Sequence, residues 1–112
     1  MICEPWQVVI VPFPFTDRAQ TKRRPALVLS QTRFNRRGHS ILSMITSTGH
    51  EPWPGDTPLT DLASAGLPHP CLVRLKIFTL DNRFILRRIG ILAAADRKRL
   101  ASELAAHLVV RA

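Results

Sequence analysis

The residues best suited to chemistry are an arginine and a hydroxyl group at the ends of two predicted strands. Arg24 immediately precedes Pro25, the first residue of a predicted strand over 25–30, and Thr46 directly follows a predicted strand over 41–45. If these strands pair antiparallel, both residues lie at one end of the sheet. A phosphodiester placed there would meet a permanent cation and a hydrogen-bond donor. Alternatively, Arg24 pairs with a nearby carboxylate and Thr46 caps its own backbone.

The sequence lacks the residue patterns of several common active sites. There is no glycine-rich phosphate loop and no Ser-His-Asp signature. The spacing of the histidines does not match a zinc site, and the two cysteines are too far apart for a CxxC site; the histidines are His39, His50, His69 and His107. We therefore expect no metal site and no cofactor.

The hydrophobic pattern predicts a mainly β protein of the α+β class, built as a small, strongly bent antiparallel sheet or partly open barrel. A turn of helix is expected over 60–65, ended by Gly66, and a C-terminal helix is expected with Asp96 as its N-cap and Leu100, Leu104 and Leu108 on one face. Loops are expected over 16–24, 31–40 and 51–70. Five strands are predicted, over 6–15, 25–30, 41–45, 71–79 and 84–92.

Length and charge narrow the function. The 112 residues predict a single domain, and a core this small favours a homodimer. Sixteen basic residues, thirteen of them arginine, against eight acidic ones give a net charge of +8, which favours a polyanionic partner over a merely solvated basic face. No apolar run reaches the ~18 residues of a membrane span, and no secretory signal pattern is present, so we expect no membrane association. With only two cysteines, a reducing cytoplasm is expected.

An ordered series of motifs resembles the MazF/PemK toxins of bacterial toxin–antitoxin pairs, in particular their PemK-like branch. The resemblance extends from about residue 6 to residue 108. The motifs that carry it are VVIVPFPFTD (8–17), KRRPALVLS (22–30), MITS (44–47), WPGD (53–56), DLASAGL (61–67) and VRLKIFTLD (73–81).

The resemblance implies an SH3-like antiparallel barrel with a C-terminal helix, as in the MazF and CcdB toxins, assembled as a homodimer. It also implies a metal-independent endoribonuclease that cuts single-stranded RNA and is neutralised by a cognate antitoxin. The arginine of the family's R-P motif falls on Arg24 and the threonine of its I-T motif on Thr46, with Ser47 at the neighbouring polar position. The better-known branch carries an acidic residue before R-P, and residues 19–21 lack it.

Basic and aromatic residues in three segments are expected to border the RNA groove, namely 16–24, 31–40 and 47–58. His50 is a candidate for proton transfer, or an exposed loop histidine. Trp53 stacks an unpaired base or pins its loop to the core, and Phe34 is a second candidate for stacking. The predicted phosphate contacts are Arg18, Lys22, Arg23, Arg33, Arg36 and Arg37. Two alternatives remain open: a non-catalytic inhibitor of DNA gyrase, as the CcdB toxins are, and a catalytically silent RNA-binding domain.

Overall fold

The structure, a computed structural model, describes residues 1–13 and 22–112. In these ranges six strands form one antiparallel sheet in the order β4-β5-β3-β2-β1-β6. The strands are β1 (Gln7–Phe13), β2 (Lys22–Val28), β3 (His39–Ser47), β4 (Thr57–Pro58), β5 (Cys71–Asp81) and β6 (Arg87–Ile91). The helices are α1 (Thr32–Asn35), α2 (Leu62–Ala65) and α3 (Ala94–His107), and a 3₁₀ turn spans Asn82–Phe84.

The sheet carries an apolar cluster on each face, because successive side chains of a strand point to opposite sides. Val8 and Leu27 belong to a cluster that also contains Leu100 of α3. Val9 and Ala26, the next residue along β1 and the one before Leu27 along β2, belong to the other cluster. The continuous apolar run of β1 is therefore explained by burial on both faces.

The two edges of the sheet approach each other through α2, which follows the edge strand β4 and packs against the edge strand β6. Glycines make this contact possible. A Cβ atom on Gly66 would lie 2.0 Å from the carbonyl oxygen of Ile89, and one on Gly90 would lie 2.3 Å from the carbonyl carbon of Ala65. Gly66 also ends α2 with a φ of 72°, as predicted for this position. The sheet thus forms a half-barrel that α2 bridges.

The predicted mainly β, α+β architecture with a C-terminal helix is confirmed, but several boundaries were wrong. β2 begins at Lys22 rather than Pro25, and β3 extends to Ser47 rather than ending at Ile45. The proline is accommodated inside β2 because pairing with β3 begins only at Ala26, so this part of β2 has a neighbour on one side only. The predicted loop over 31–40 contains α1, the 51–70 loop contains β4 in addition to the expected helical turn, which is α2, and the described residues form six strands rather than five.

The helix α3 begins earlier than predicted, with Ala93 rather than Asp96 at its N-cap. Asp96 lies in the first turn and is fully buried, where it accepts hydrogen bonds from Thr60 N and Oγ1, from Asp61 N and from the guanidinium of Arg99. The carboxylate therefore ties α3 to the segment before α2 instead of capping its own helix. No helix in the described part of the chain is long and apolar enough to cross a membrane.

Candidate active site

Arg24 and Thr46 lie on neighbouring strands and face one cleft. Ala26 pairs with Met44 in the β2–β3 ladder, so the same register continued by two residues places Arg24 opposite Thr46. Both line a cavity of about 520 Å³, which we call the arginine cleft. Its other lining residues are Met44, His50, Glu51, Pro52, Trp53 and Arg74. The antiparallel arrangement of β2 and β3 thus places a cation and a hydroxyl group in the lining of one cleft.

The functional groups of both residues are available to a ligand. Arg24 is exposed and forms no salt bridge with any carboxylate in residues 1–13 and 22–112. Thr46 is half-buried within β3, and in the same described ranges its hydroxyl makes no hydrogen bond to the backbone. The structural alternatives for these residues, an ion pair and a backbone cap, are therefore not observed in this part of the chain.

A tight turn over residues 53–56 forms one wall of the arginine cleft. Asp56 N donates to Trp53 O at 3.1 Å, and Gly55 has a φ of 79° after Pro54, which is the pattern of a type II turn. Trp53 N donates in return to Asp56 Oδ2 at 3.0 Å. The WPGD sequence therefore specifies the shape of this wall locally, with proline and glycine at the two central positions.

Arg74 of β5 anchors the 53–56 turn from below. Its side chain is buried, and its guanidinium donates from Nε to Asp56 Oδ1 at 3.1 Å and from Nη2 to Asp56 Oδ2 at 2.9 Å. Nη2 also donates to Glu51 O at 2.9 Å. The hydrogen bonds from Arg74 hold the pKa of the Asp56 carboxyl below its usual range and raise the pKa of Arg74. Both groups are thus charged at neutral pH.

Trp53 lines both the arginine cleft and a second cavity of about 640 Å³, which we call the apolar cleft. The Trp53 ring is 40% exposed, with Lys76 Nζ 4.7 Å and Arg74 Cζ 5.9 Å from its centroid. The indole is thus held by cations and still offers surface to a ligand. Besides Trp53 and Lys76, the apolar cleft is lined by Phe13, Arg24, Met44, Leu75, Ile77 and Phe78.

The other predicted site residues are divided between the cleft and other surfaces. Ser47 lies beside the cleft, where its Oγ is 3.2 Å from Nε2 of the lining residue His50. Lys22 and Arg23 are exposed on β2, and strand alternation places Lys22 on the face of Arg24 but Arg23 on the opposite face. Neither lines the arginine cleft. Arg18 lies outside the described residues.

Three further predicted phosphate contacts, together with Phe34, lie away from the cleft. The connection from the end of β2 to the start of β3 contains α1 and lies at the end of these strands away from Arg24 and Thr46. The residues in or next to α1 are Arg33, Phe34, Arg36 and Arg37. Thr46 is seven residues from the start of β3, or about 20 Å along the strand. The 31–40 segment therefore does not border the arginine cleft, because a hairpin places its connection at the far end from Arg24.

Two residues of the site escaped the sequence reasoning. Arg74 was placed in the predicted strand over 71–79, but its ion pair joins segments eighteen residues apart. Glu51 lies in the 47–58 segment that was expected to border the groove, but it was not named as a site residue, and it lines the arginine cleft. The sequence did offer one signal for the Arg74–Asp56 pair. Asp56 lies in the WPGD motif and Arg74 in the VRLKIFTLD motif, and both motifs belong to the series that carries the resemblance. Within the described ranges, no three His, Cys, Asp or Glu side chains group as a metal site.

Comparisons with known proteins give a matching family model and solved structures of the same fold. A sequence model described as PemK-like, MazF-like toxin of type II toxin–antitoxin system matches residues 4–108. No curated protein matches the chain by sequence.

Among solved structures, MazE-MazF (Form-II) from Deinococcus radiodurans is 21% identical over 99% of each chain, with a TM-score of 0.78. Mycobacterium tuberculosis toxin MazF-mt6 is 22% identical over 89% of this chain and 93% of its own, with a TM-score of 0.71. An endoribonuclease in complex with its cognate antitoxin from Mycobacterial species is 15% identical over 94% of this chain and 91% of its own, with a TM-score of 0.71. At these identities the likeness shows a shared fold.

Proposed function

The chain belongs to the PemK-like, MazF-like toxins of type II toxin–antitoxin systems, and we propose that it is an endoribonuclease that cleaves single-stranded RNA without a metal ion. The observation that carries the proposal is that Arg24 and Thr46, on the neighbouring strands β2 and β3, both line the arginine cleft. A net charge of +8 supports a polyanionic substrate.

The chemistry needs no nucleophile from the protein, because RNA carries its own in the 2′-hydroxyl. The 2′-oxygen attacks the adjacent phosphorus, forming an O2′–P bond, and the P–O5′ bond breaks. The 2′-hydroxyl loses its proton, and the departing 5′-oxygen gains one. The products are a 2′,3′-cyclic phosphate and a 5′-hydroxyl end. The protein must therefore orient the phosphodiester, stabilise the added negative charge and move two protons.

Arg24 and Thr46 match the charge-stabilising part of this reaction. The guanidinium supplies a permanent positive charge and several N–H donors for the non-bridging phosphate oxygens. The Thr46 hydroxyl donates to one of those oxygens from the opposite strand. Because both residues lie on strands of one sheet, their backbones are fixed in place before the substrate arrives, which favours electrostatic stabilisation.

The remaining residues of the arginine cleft are the candidates for proton transfer and for binding a nucleobase. His50 and Glu51 line it and are the titratable candidates for moving the 2′- and 5′-protons, with Ser47 holding the His50 ring. Trp53 provides a partly exposed ring on which an unpaired base stacks beside the scissile phosphate. Lys22 on the same face of β2 contributes a phosphate contact, and we retain Arg18 in that role, whereas Arg23 faces away.

The biological setting follows from the family. We expect a cognate antitoxin whose acidic segment complements the basic surface, as antitoxin complexes are found among proteins of this fold. We expect a single-domain protomer that assembles as a homodimer, in the cytoplasm where messenger RNA is available.

The proposal is tested by incubating the purified, antitoxin-free protein with end-labelled RNA in EDTA and mapping the ends. Wild-type protein should give discrete cuts with 5′-hydroxyl ends. Arg24→Ala should lose at least about 100-fold in rate, in the range found when one transition-state donor is removed. Arg111→Ala is the matched control, since it removes an exposed arginine outside the cleft.

No cleavage of a varied RNA pool by folded protein would overturn the proposal. Inhibition of DNA gyrase by the same preparation would then indicate the CcdB-like function, and tight RNA binding without cuts would indicate a silent binding domain. Full activity of Arg24→Ala would reject the assignment of the arginine cleft.

A further inference from the structure

A second basic and aromatic surface lies at the end of the sheet opposite the arginine cleft. It consists of the exposed residues around α1 and the 3₁₀ turn, and we call it the distal basic surface. Its members are Arg33, Phe34, Arg36, Arg37, Arg83 and Phe84. The two segments are hydrogen bonded to each other, from Asn82 N to Gly38 O at 2.9 Å and from Asn82 Nδ2 to Asn35 O at 2.6 Å. They therefore form one continuous surface.

The arginines in and directly after α1 make no ion pairs within the described part of the chain. Arg33, Arg36 and Arg37 are exposed, and none of them forms a salt bridge with a carboxylate in the described ranges. Arg83 is paired with Asp81 at 3.1 Å, yet its side chain is 81% exposed. Like charges concentrated on one surface repel one another, and a polyanion relieves that repulsion.

Exposed aromatic rings accompany these charges. Phe34 is 43% exposed and Phe84 is 50% exposed. The Arg83 guanidinium lies 5.9 Å from the centroid of the Phe84 ring. Guanidinium groups beside exposed aromatic rings are the combination that holds single-stranded nucleic acid, in which the cations track the phosphates and the rings stack bases. A purely acidic protein segment would pair only with the charges, whereas single-stranded RNA engages both the charges and the rings.

We propose that the distal basic surface binds a second stretch of the single-stranded RNA whose scissile phosphate occupies the arginine cleft. This inference rests on the proposed function and deepens it, because it makes long RNA the preferred substrate. The two surfaces are about 20 Å apart along β3. Comparable small barrels hold up to about 16 nucleotides of single strand, and a stretch of that length is enough to connect the two surfaces.

The test compares a short with a long oligonucleotide. Both carry 2′-O-methyl groups, which block cleavage, with lengths of about 4 and about 20 nucleotides. The variant Arg33→Gln/Arg36→Gln should bind the long one more weakly, with a salt slope shallower by about 1.4, or about 0.7 per lost phosphate contact. Phe34→Ala should weaken long-RNA binding about tenfold. Lys98→Gln/Arg111→Gln is the control, removing the same charge from exposed positions on and after α3.

Binding of the short oligonucleotide should be unchanged in every variant, because it fills the arginine cleft alone. The inference is overturned if the double variant and its control lose the same affinity for the long strand, or if Phe34→Ala has no effect. It is also overturned if the double variant loses affinity for the antitoxin only. Failure of the proposed function is a separate result: wild-type protein then fails to cut cleavable RNA in EDTA, whatever the length dependence of binding.

Discussion

Arg74 donates two parallel hydrogen bonds to Asp56 directly behind the Trp53 ring. The ion pair connects β5, which contributes Arg74 to the arginine cleft, with the 53–56 turn, which forms one wall of the cleft. Because Trp53 N also donates to Asp56, the carboxylate orients the turn from two sides. The ion pair is thus a support for the position of Trp53.

Removing the cation of this pair should be costly. Arg74→Met leaves the partly buried Asp56 carboxylate without its partner, so we expect a loss of about 2–3 kcal/mol in the free energy of unfolding. Chemical denaturation at neutral pH measures it. Arg83→Met is the matched control, because it breaks an exposed Arg–Asp pair that should contribute under about 1 kcal/mol. Equal losses in the two variants would show that the Arg74 pair has no special role.

Acid should destabilise the protein partly through Asp96. Burial acts to raise the pKa of this carboxyl, but hydrogen bonds from Asp61 N, Thr60 and Arg99 outweigh burial and lower it. A pKa below the unfolded value of about 3.9 means that ionised Asp96 contributes stability above about pH 4. This contribution is lost as the pH falls through the lower folded pKa.

Asp96→Asn should therefore be less stable at pH 7 and should lose less stability on acidification. Thermal unfolding between about pH 7 and pH 3 measures both effects. Glu103→Gln, a change on the same helix at a partly buried position, serves as control. An unchanged acid dependence in Asp96→Asn would contradict the prediction.

Closure of the half-barrel should depend on Gly90. An alanine Cβ there would lie 2.3 Å from the carbonyl carbon of Ala65, so α2 and β6 must move apart. We expect Gly90→Ala to lower the free energy of unfolding by about 1–3 kcal/mol. Gly49→Ala is the control for the loss of a glycine without a steric clash. A Cβ at Gly49 meets no atom within 4 Å, so only the strain of its positive φ would destabilise this variant. If Gly90→Ala were as stable as wild type, the contact would not be tight.

The Thr46 hydroxyl should act on the rate rather than on folding. Thr46→Val keeps the β-branched shape within β3 and removes the donor, so single-turnover cleavage should slow about 100-fold while the melting temperature stays close to wild type. Thr46→Ser restores a hydroxyl and should recover most of the rate. Wild-type rates in Thr46→Val would exclude the hydroxyl from the reaction.

Much of the fold was determined by local patterns that the sequence displays. The apolar runs of β1 and β5, the Asp61 and Gly66 ends of α2, and the helical repeat around Leu100 depend on side chains close together in the chain. The ordered motifs predicted the family correctly. Strand ends were predicted poorly, because pairing with a neighbour extended β2 and β3 into polar residues that carry no β pattern of their own.

The cleft was determined partly by the sequence and partly by the tertiary structure. Arg24 and Thr46 were found from the sequence, because a hairpin connection requires the start of one strand and the end of the next to coincide. The same hairpin geometry places Arg33 and Arg36, in the connection, at the opposite end of the sheet. Only the tertiary structure joined Arg74 to Asp56 and buried Asp96 against Thr60. The physical reason is that long-range ion pairs and buried hydrogen bonds depend on strand order and packing, which residue types and their spacing along one chain do not encode locally.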